Sequence, residues 1–335
     1  VSQYWNPAKY PFTISRAGVA LNYTPWLRSL VNDIDLAYLV GYYRIGDYSA
    51  VSASLRYFSL GEIQMIDGAG TVVNSVNPYE MAFDLGYSRK LSESFSMGVA
   101  LRYIYSDLAF SDAYSAEQQK GASAFAADIS GFLTTYPVVG RNECQWSWGF
   151  NISNIGSKVS YNDGNDPAFL PTNFRLGTTF TFPVAQYNNI ALSLDANKLL
   201  VPTRPRQSDF TDAEGNYDQE AYESKLEDWR NTSSISGIFK SFSDAPGGFK
   251  EELKEITLSV GAEYNYNQQF FVRTGYFYEN AMKGNRQYFS FGAGFSLNVV
   301  QLDAAYMIAT AQNSPLDQTL RFSLTFDMDG LKHLL

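Results

Sequence analysis

From Glu255 to Asp327 apolar and polar residues alternate through segments joined by very short turns. In the first segment Ile256, Leu258, Val260, Ala262, Tyr264 and Tyr266 share one side, and Thr257, Ser259, Gly261, Glu263 and Asn265 the other. A period of two is the period of a strand. Phe289, Phe291, Ala293, Phe295 and Leu297 repeat it, as do Val300, Leu302, Ala304, Tyr306 and Ile308, and then Leu320, Phe322, Leu324 and Phe326. Each segment runs to about 10–12 residues, long for a soluble strand of about 5–6 and right for a tilted membrane-crossing strand of about 9–11. Tyr and Phe crowd the segment ends, as in Tyr264, Tyr266, Tyr276 to Tyr278 and Phe326, where a transmembrane barrel places its aromatic girdles.

The same rule carried back along the chain predicts fourteen strands: Ile14–Tyr23, Asp33–Arg44, Tyr48–Leu60, Asn77–Arg89, Ser94–Asp107, Ala122–Thr135, Cys144–Asn154, Thr172–Phe182, Asn189–Leu200, Glu255–Tyr266, Gln269–Glu279, Arg286–Leu297, Val299–Ala309 and Asp317–Asp327. The links between them have a parity. Those after odd-numbered strands are mostly long: Thr24–Asn32, Gly61–Val76, Leu108–Gly121, Ile155–Pro171, Val201–Lys254, Asn280–Asn285 and Thr310–Leu316. Those after even-numbered strands are all short: Ile45–Asp47, Lys90–Glu93, Tyr136–Glu143, Pro183–Asn188, the Asn267–Gln268 turn and Asn298. Outer-membrane barrels have long extracellular loops and short periplasmic turns. The predicted fold is therefore all-β, one 14-stranded antiparallel transmembrane barrel over residues 1–335, with residues 328–335 as a tail. Val1 to Phe12, with two prolines and no alternation, is expected to be irregular.

Composition narrows the class. The 335 residues are 45% hydrophobic and carry 24 Tyr and 24 Phe, an aromatic load that suits girdles. No run of about 18 apolar residues occurs, which excludes a helical membrane protein. The net charge of −9 argues against a nucleic-acid partner. Cys144 is the only cysteine, so no intrachain disulfide is expected. The chain starts at Val1 with neither Met nor a leader, which reads as a signal peptide removed or left out.

Catalysis finds little support. The single histidine, His333, lies beyond the last strand, so no Ser-His-Asp or Cys-His set can be built in the barrel; neither enzymatic activity nor a cofactor is expected. The Asn162-Asp163-Gly164-Asn165-Asp166 loop reads as a turn rather than a calcium site, because the twelve-residue pattern lacks its terminal Glu. Asn231-Thr232-Ser233 matches a glycosylation acceptor by chance if the protein is bacterial. The alternation points Arg16, Arg56, Arg102, Arg175, Arg273 and Arg321 into the lumen, with Asp35, Asp84, Asp128, Asp195, Glu263 and Asp303. A balanced set reads either as a pair network holding a plug or bridging the wall, or as ordinary solvated lumen residues; it disfavours an ion-selective porin.

Val201–Lys254 is the main functional candidate, because a connection that long is uncommon unless it does something. Within it Asp218 to Arg230 places Tyr222, Leu226 and Trp229 on one helical side, and Ser233 to Ser243 places Ile235, Ile238, Phe239 and Phe242 at helical spacing. Two short extracellular helices are predicted. Their apolar faces either fold down over the barrel mouth or, with Trp229, Ile235, Phe239, Phe242 and Phe249 as anchors, meet another protein. The outward aromatic band meets lipid or packs against a larger barrel.

Trp5-Asn6-Pro7-Ala8, ahead of the first strand, resembles the Asn-Pro-Ala signature of FadL-like outer-membrane proteins, fourteen-stranded barrels whose N-terminal segment enters the lumen as a plug. The resemblance marks Trp5, Asn6 and Pro7 as plug residues. Longer stretches are similar to one branch, the PorV (LptO) proteins of the type IX secretion system: Tyr23 to Leu27, Leu55 to Gly61, Asn151 to Gly156, Phe169 to Gly177 and Asn197 to Thr203. That resemblance implies a non-enzymatic component of a Bacteroidetes secretion machine. Such proteins receive cargo bearing a C-terminal signal domain at a giant translocon barrel, cap its lateral opening, and deliver cargo to an attachment complex with a sortase-like peptidase. The competing expectation, from other FadL-like barrels, is a transporter of hydrophobic small molecules, with Phe58, Phe132, Phe271 and Phe277 either lining an apolar pocket or packing on the plug.

Overall fold

The computed structural model describes residues 2–28, 31, 33–108, 121–161, 167–212, 215–311, 314 and 316–332. His333 and the Asn162–Asp166 loop lie outside them.

Fourteen strands close one antiparallel barrel: β1 (Ala17–Pro25), β2 (Asp35–Ile45), β3 (Ser49–Ser59), β6 (Tyr79–Lys90), β7 (Phe95–Asp107), β8 (Ala122–Thr135), β11 (Gln145–Gly156), β12 (Asn173–Ala185), β13 (Asn188–Leu199), β14 (Thr257–Tyr266), β15 (Phe270–Tyr278), β16 (Gln287–Leu297), β17 (Val300–Ala309) and β18 (Leu320–Asp327). Two hairpins stand off the wall, β4 (Ile63–Ile66) with β5 (Val72–Val76), and β9 (Val138–Val139) with β10 (Asn142–Glu143). Each barrel strand pairs with its sequence neighbours in the wall, and β1 pairs with β18 to close it, Gly18 opposite Asp327. Closure leaves no edge, so N–H and C=O groups of every wall strand pair with both neighbouring strands, the condition for crossing hydrocarbon.

The turns at one end are tight. Asn267 and Gln268 both have positive φ, 52° and 55°, the conformation of a type I′ turn that matches strand twist. Helices occupy the long loop: α1 (Gln219–Asn231), α2 (Ser234–Lys240) and α3 (Phe249–Lys254). A fourth, α4 (Met328–Lys332), follows the last strand. Among the described residues no helix is long and apolar enough to cross a membrane. Outward positions are bare and apolar, as at Leu39, Leu55, Leu85, Leu101 and Phe125. Outward rings touch around the wall, Tyr57 on Tyr79 at 5.7 Å and Tyr79 on Tyr105 at 6.0 Å.

Two expectations need correction, and a third concerns a residue that falls outside the wall strands. The N-terminal segment is not irregular: Pro7–Phe12 is a 3₁₀ helix, because Asn6 caps it by accepting from the Ala8 N–H at 3.0 Å and Pro7 stands at its first turn. Arg16 lies one residue ahead of β1, outside the wall strands, exposed at the tight-turn end, with its N–H given to Asp329 of α4. Asp35 is on the outer face of β2, two positions along from Ala37 and four from lipid-facing Leu39. It accepts from Tyr23 Oη at 2.7 Å and pairs with Arg28 at 3.1 Å on the extracellular rim, where water reaches the outer face.

Candidate functional site: the plugged lumen and the extracellular loop

The 3₁₀ helix lies inside the barrel against β2, β3, β6, β7 and β8. That side of the lumen is lined by small buried groups, Ala50, Ser52, Ser54, Gly86, Ser88, Ser96, Gly98, Ala100 and Ser130, which leave room for a second layer of backbone. Gly98 shows how close it comes: a Cβ there would stand 3.0 Å from the Ala8 nitrogen. Asn6 ties the plug down by donating from Nδ2 to the carbonyls of Gly131 at 2.9 Å and Phe150 at 3.2 Å. Ser52 donates to Gln3 Oε1 at 2.6 Å, Tyr10 stacks on Tyr42 at 4.8 Å, and Phe12 meets Phe132 edge-on at 5.5 Å. Of the expected plug residues, Asn6 and Pro7 are buried, whereas Trp5 is half exposed to the lumen with its ring 4.8 Å from the Arg175 guanidinium.

The remaining inward charges fall into separate groups. Arg102 donates from Nε to Asp84 at 2.6 Å and from Nη2 to Asp128 at 3.0 Å, and Nη1 reaches Asn154 Oδ1. Ser54 donates to Asp84 at 2.9 Å, and the Asn154 N–H to Asp128 at 2.9 Å. Asn154 sits at a bulge in β11 with φ 60°, so the extra residue turns its amide into this cluster. Across the lumen Arg273 pairs with Glu263 at 2.6 Å and with Asp303. Arg56 and Arg175 stack on Tyr4 of the plug segment, each 4.5 Å from the ring centroid, and Arg175 also donates to the Tyr4 carbonyl at 3.0 Å. Arg321 lies over Trp26 at 6.0 Å. Asp195 stands apart, in the field of Lys9 and Arg175. Tyr4, Gln3, Lys9 and Asn154 were missed by pattern reading because none sits in a regular strand register.

The lumen aromatics do not form one pocket. Phe132 packs on the plug, Phe58 on Trp26 at 6.5 Å, Phe277 on Tyr288 at 5.0 Å, and Phe271 under Arg273 at 4.9 Å.

The extracellular loop is built on ion pairs. Lys198 occupies a position in β13 of the same parity as lipid-facing Leu192 and Leu194, and that break in the apolar pattern was a readable signal of a rim partner. It binds Glu252 at 2.8 Å and Glu255 at 2.6 Å, while Lys283 binds Glu251 at 2.6 Å and Glu255 at 2.9 Å. Burial pushes the Glu252 carboxyl up, but the Lys198 ammonium and the Ala245 N–H outweigh it and leave it below the usual carboxylate range. Burial lowers Lys283, but Glu251 and Glu255 outweigh it and raise it.

Trp229 is not on the loop's exposed face. Its Nε1 donates to the Pro202 carbonyl at 3.0 Å and its ring meets Phe169 at 5.2 Å, so it packs the base of the loop, together with buried Leu226. Ile235, Phe239, Phe242 and Phe249 are all exposed, Phe249 by 75%. Leu253 and Met282 beside them are exposed too, Lys254 Nζ lying 3.3 Å from Met282 Sδ.

A closed antiparallel barrel with a lumenal N-terminal plug, lipid-facing apolar girdles and long loops at one end defines an outer-membrane protein of FadL-like form. Residues 1–206 match the family model described as type IX secretion system protein PorV, and the chain belongs to that family. It is thus an outer-membrane component of the type IX secretion system. Among solved structures it is similar to the Pseudomonas putida toluene transporter TodX, at 10% identity over 96% of this chain and 92% of that one, with a TM-score of 0.50. A TodX deltaS2S3 mutant monoaromatic hydrocarbon channel aligns with 11% identity over 97% and 92%, also at 0.50. A Pseudomonas aeruginosa FadL homologue aligns at 11% identity over 97% and 93%, with a TM-score of 0.42. At such identities the likeness is one of fold. No curated protein matches.

Proposed function

We propose that this chain is a non-enzymatic shuttle: it takes cargo bearing a C-terminal signal domain from the giant translocon barrel and hands it to the attachment complex that contains the sortase-like peptidase. The observation that carries the reading is the row of bare apolar side chains, Ile235, Phe239, Phe242 and Phe249, on a loop whose α3 is clamped to the barrel through Lys198 and Lys283. Apolar groups clustered on one water-facing segment mark interaction surfaces, and a few buried aromatics supply most of the energy of such contacts. A pre-anchored loop loses less freedom on binding than a floppy one. Membership of the secretion family supplies the kind of partner. The plug, wedged on one side of the lumen, supports a barrel that works at its surface rather than as an open pore.

The test is a pull-down of tagged barrel from mildly solubilised outer membrane, with partners identified by mass spectrometry. Wild type is compared with a deletion of Ser208 to Gly248 and with Phe239→Ser/Phe242→Ser/Phe249→Ser. Recovery of the translocon barrel or of proteins sharing a C-terminal signal domain, lost in both variants, is the expected result. Partners that survive both variants would move the site off this loop. A barrel that comes down alone with a hydrophobic ligand would overturn the shuttle in favour of a transporter.

A further inference from the structure

Between the plug and the wall strands β11, β12 and β13 lies a space of about 270 Å³, room for on the order of ten heavy atoms. It is bounded by Trp5, Lys9, Asn151, Arg175 and Asp195, with Phe132 behind Lys9. Three features set it apart from the rest of the lumen. Asn151 is 1% exposed and lines the space, and among the described residues neither its Oδ1 nor its Nδ2 has a hydrogen-bond partner. A buried amide left unpaired costs about 1–3 kcal/mol, and natural interiors rarely tolerate it unless something fills the gap. Lys9 and Asp195 feel each other's charge across the space, yet among the described residues neither side chain has a hydrogen bond or an ion pair, Lys9 lying only over the Phe132 ring at 5.4 Å. Every other inward carboxylate of the network, Asp84, Asp128, Glu263 and Asp303, is hydrogen-bonded to an arginine. The wall is also cut back for Asp195: a Cβ on Gly177 would stand 1.9 Å from its Oδ1, so the carboxylate lies across bare β12 backbone.

A cation and an anion held apart, an amide offering one donor and one acceptor between them, and aromatic rings for a wall make a two-ended polar receptor. We propose that this space binds a small zwitterion of α-amino-acid type, its carboxylate toward Lys9 in the field of Arg175, its ammonium toward Asp195, and its side chain against Trp5 and Phe132. Asn151 closes the remaining donor and acceptor. The ligand touches plug and wall together, so its binding pins the plug. This inference does not depend on the shuttle reading, since it concerns the opposite, lumenal surface of the wall.

Equilibrium dialysis of the purified full-length barrel in detergent against tritiated L-leucine tests it. The expected result is saturable uptake at one site per chain, competed by unlabelled L-leucine but not by N-acetyl-L-leucine, which lacks the ammonium, or by L-leucinamide, which lacks the carboxylate. Asp195→Asn and Asn151→Leu are each expected to weaken uptake about tenfold or more. Lys9→Met, in the plug, gives the same loss without touching the wall, so a wall variant that fails to fold leaves the test intact; heat-modifiable gel mobility reports folding in every case. Absence of saturable uptake, as from a space holding water alone, would overturn the proposal. So would equal competition by all three compounds, or undiminished uptake by folded Asp195→Asn or Lys9→Met.

Discussion

Arg102 and Arg273 stand on opposite sides of the lumen with the same equipment, one guanidinium between two carboxylates from other strands, β6 and β8 for Arg102 and β14 and β17 for Arg273. Their surroundings differ. Arg102 lies in the wall that faces the plug, and its side chain is 4% exposed, with Asp84 at 2% and Asp128 at 1%. Arg273 is 35% exposed, and Glu263 is 34% exposed. Water screens the second cluster, and screened pairs contribute about 0–1 kcal/mol. The first is desolvated, so its charges must satisfy one another, and Ser54, Asn154 and the Asn154 N–H complete the bonding. The same motif is therefore structural on the plugged side and close to dispensable on the open side.

The largest expected effect comes from breaking the sealed cluster. Arg102→Met leaves two carboxylates buried without a cation and is expected to destabilise the barrel by about 3–5 kcal/mol, read as a lowered urea midpoint with an unchanged slope. Adding Asp84→Asn and Asp128→Asn to that variant should restore part of the loss, because the uncompensated charges are then gone. A smaller effect is expected where the plug meets its wall. Gly98→Ala puts a Cβ 3.0 Å from the Ala8 nitrogen and 3.2 Å from its Cα, and backbone cannot rotate away as a side chain can. It should cost about 1–3 kcal/mol and raise hydrogen exchange in Pro7–Phe12. Gly292→Ala, on the open wall, meets only the Ala304 carbonyl at 3.3 Å at its tightest and should leave exchange in the plug unchanged.

Arg273→Met should cost no more than about 1 kcal/mol. A loss near that of Arg102→Met would show that the two sides of the lumen are equally dry. The smallest effect concerns pH at the loop. Glu251 and Glu252 are held below the usual carboxylate range, so the stability they give α3 is present above their ordinary value and is lost as pH falls through the lower, folded one. Lys283 is raised, so its share is present at neutral and acidic pH and lost only in alkali. Exchange in Phe249–Lys254, corrected for intrinsic rates, should stay slow from about pH 5 to 9 and quicken below about pH 4. A loop that loosens already near pH 6 would show that these carboxylates do not hold it.

Part of the lumen was legible as pattern. Arg56, Arg102, Arg175, Arg273 and Arg321 and Asp84, Asp128, Asp195, Glu263 and Asp303 lie on inward registers that alternation alone assigns. Asp35 was misplaced because the alternation of β2 itself, carried back from lipid-facing Leu39, puts it outward, where at the rim Tyr23 and Arg28 partner its charge; Arg16 lies one residue ahead of β1, beyond the paired register that assigns a side. Trp229 was misread for a related reason. Its helical face was correctly apolar, but periodicity does not say whether a face meets solvent, another protein or Pro202 and Phe169 of the same chain.

The sequence by itself determined the all-β wall, the fourteen strands, the tight and long ends, and, β2 apart, the side of the charged strands that faces lipid. These follow from residues one and two positions apart, and the period-two geometry of a strand fixes them locally. Only the tertiary structure decided which inward charges meet, that Pro7–Phe12 lies against β6, β7 and β8, and that among the described residues Asn151 and Asp195 are left without partners beside Lys9. Those facts rest on contacts such as Asn6 with Gly131, 125 positions apart, which exist once closure of the barrel brings distant strands and the plug into one enclosed space.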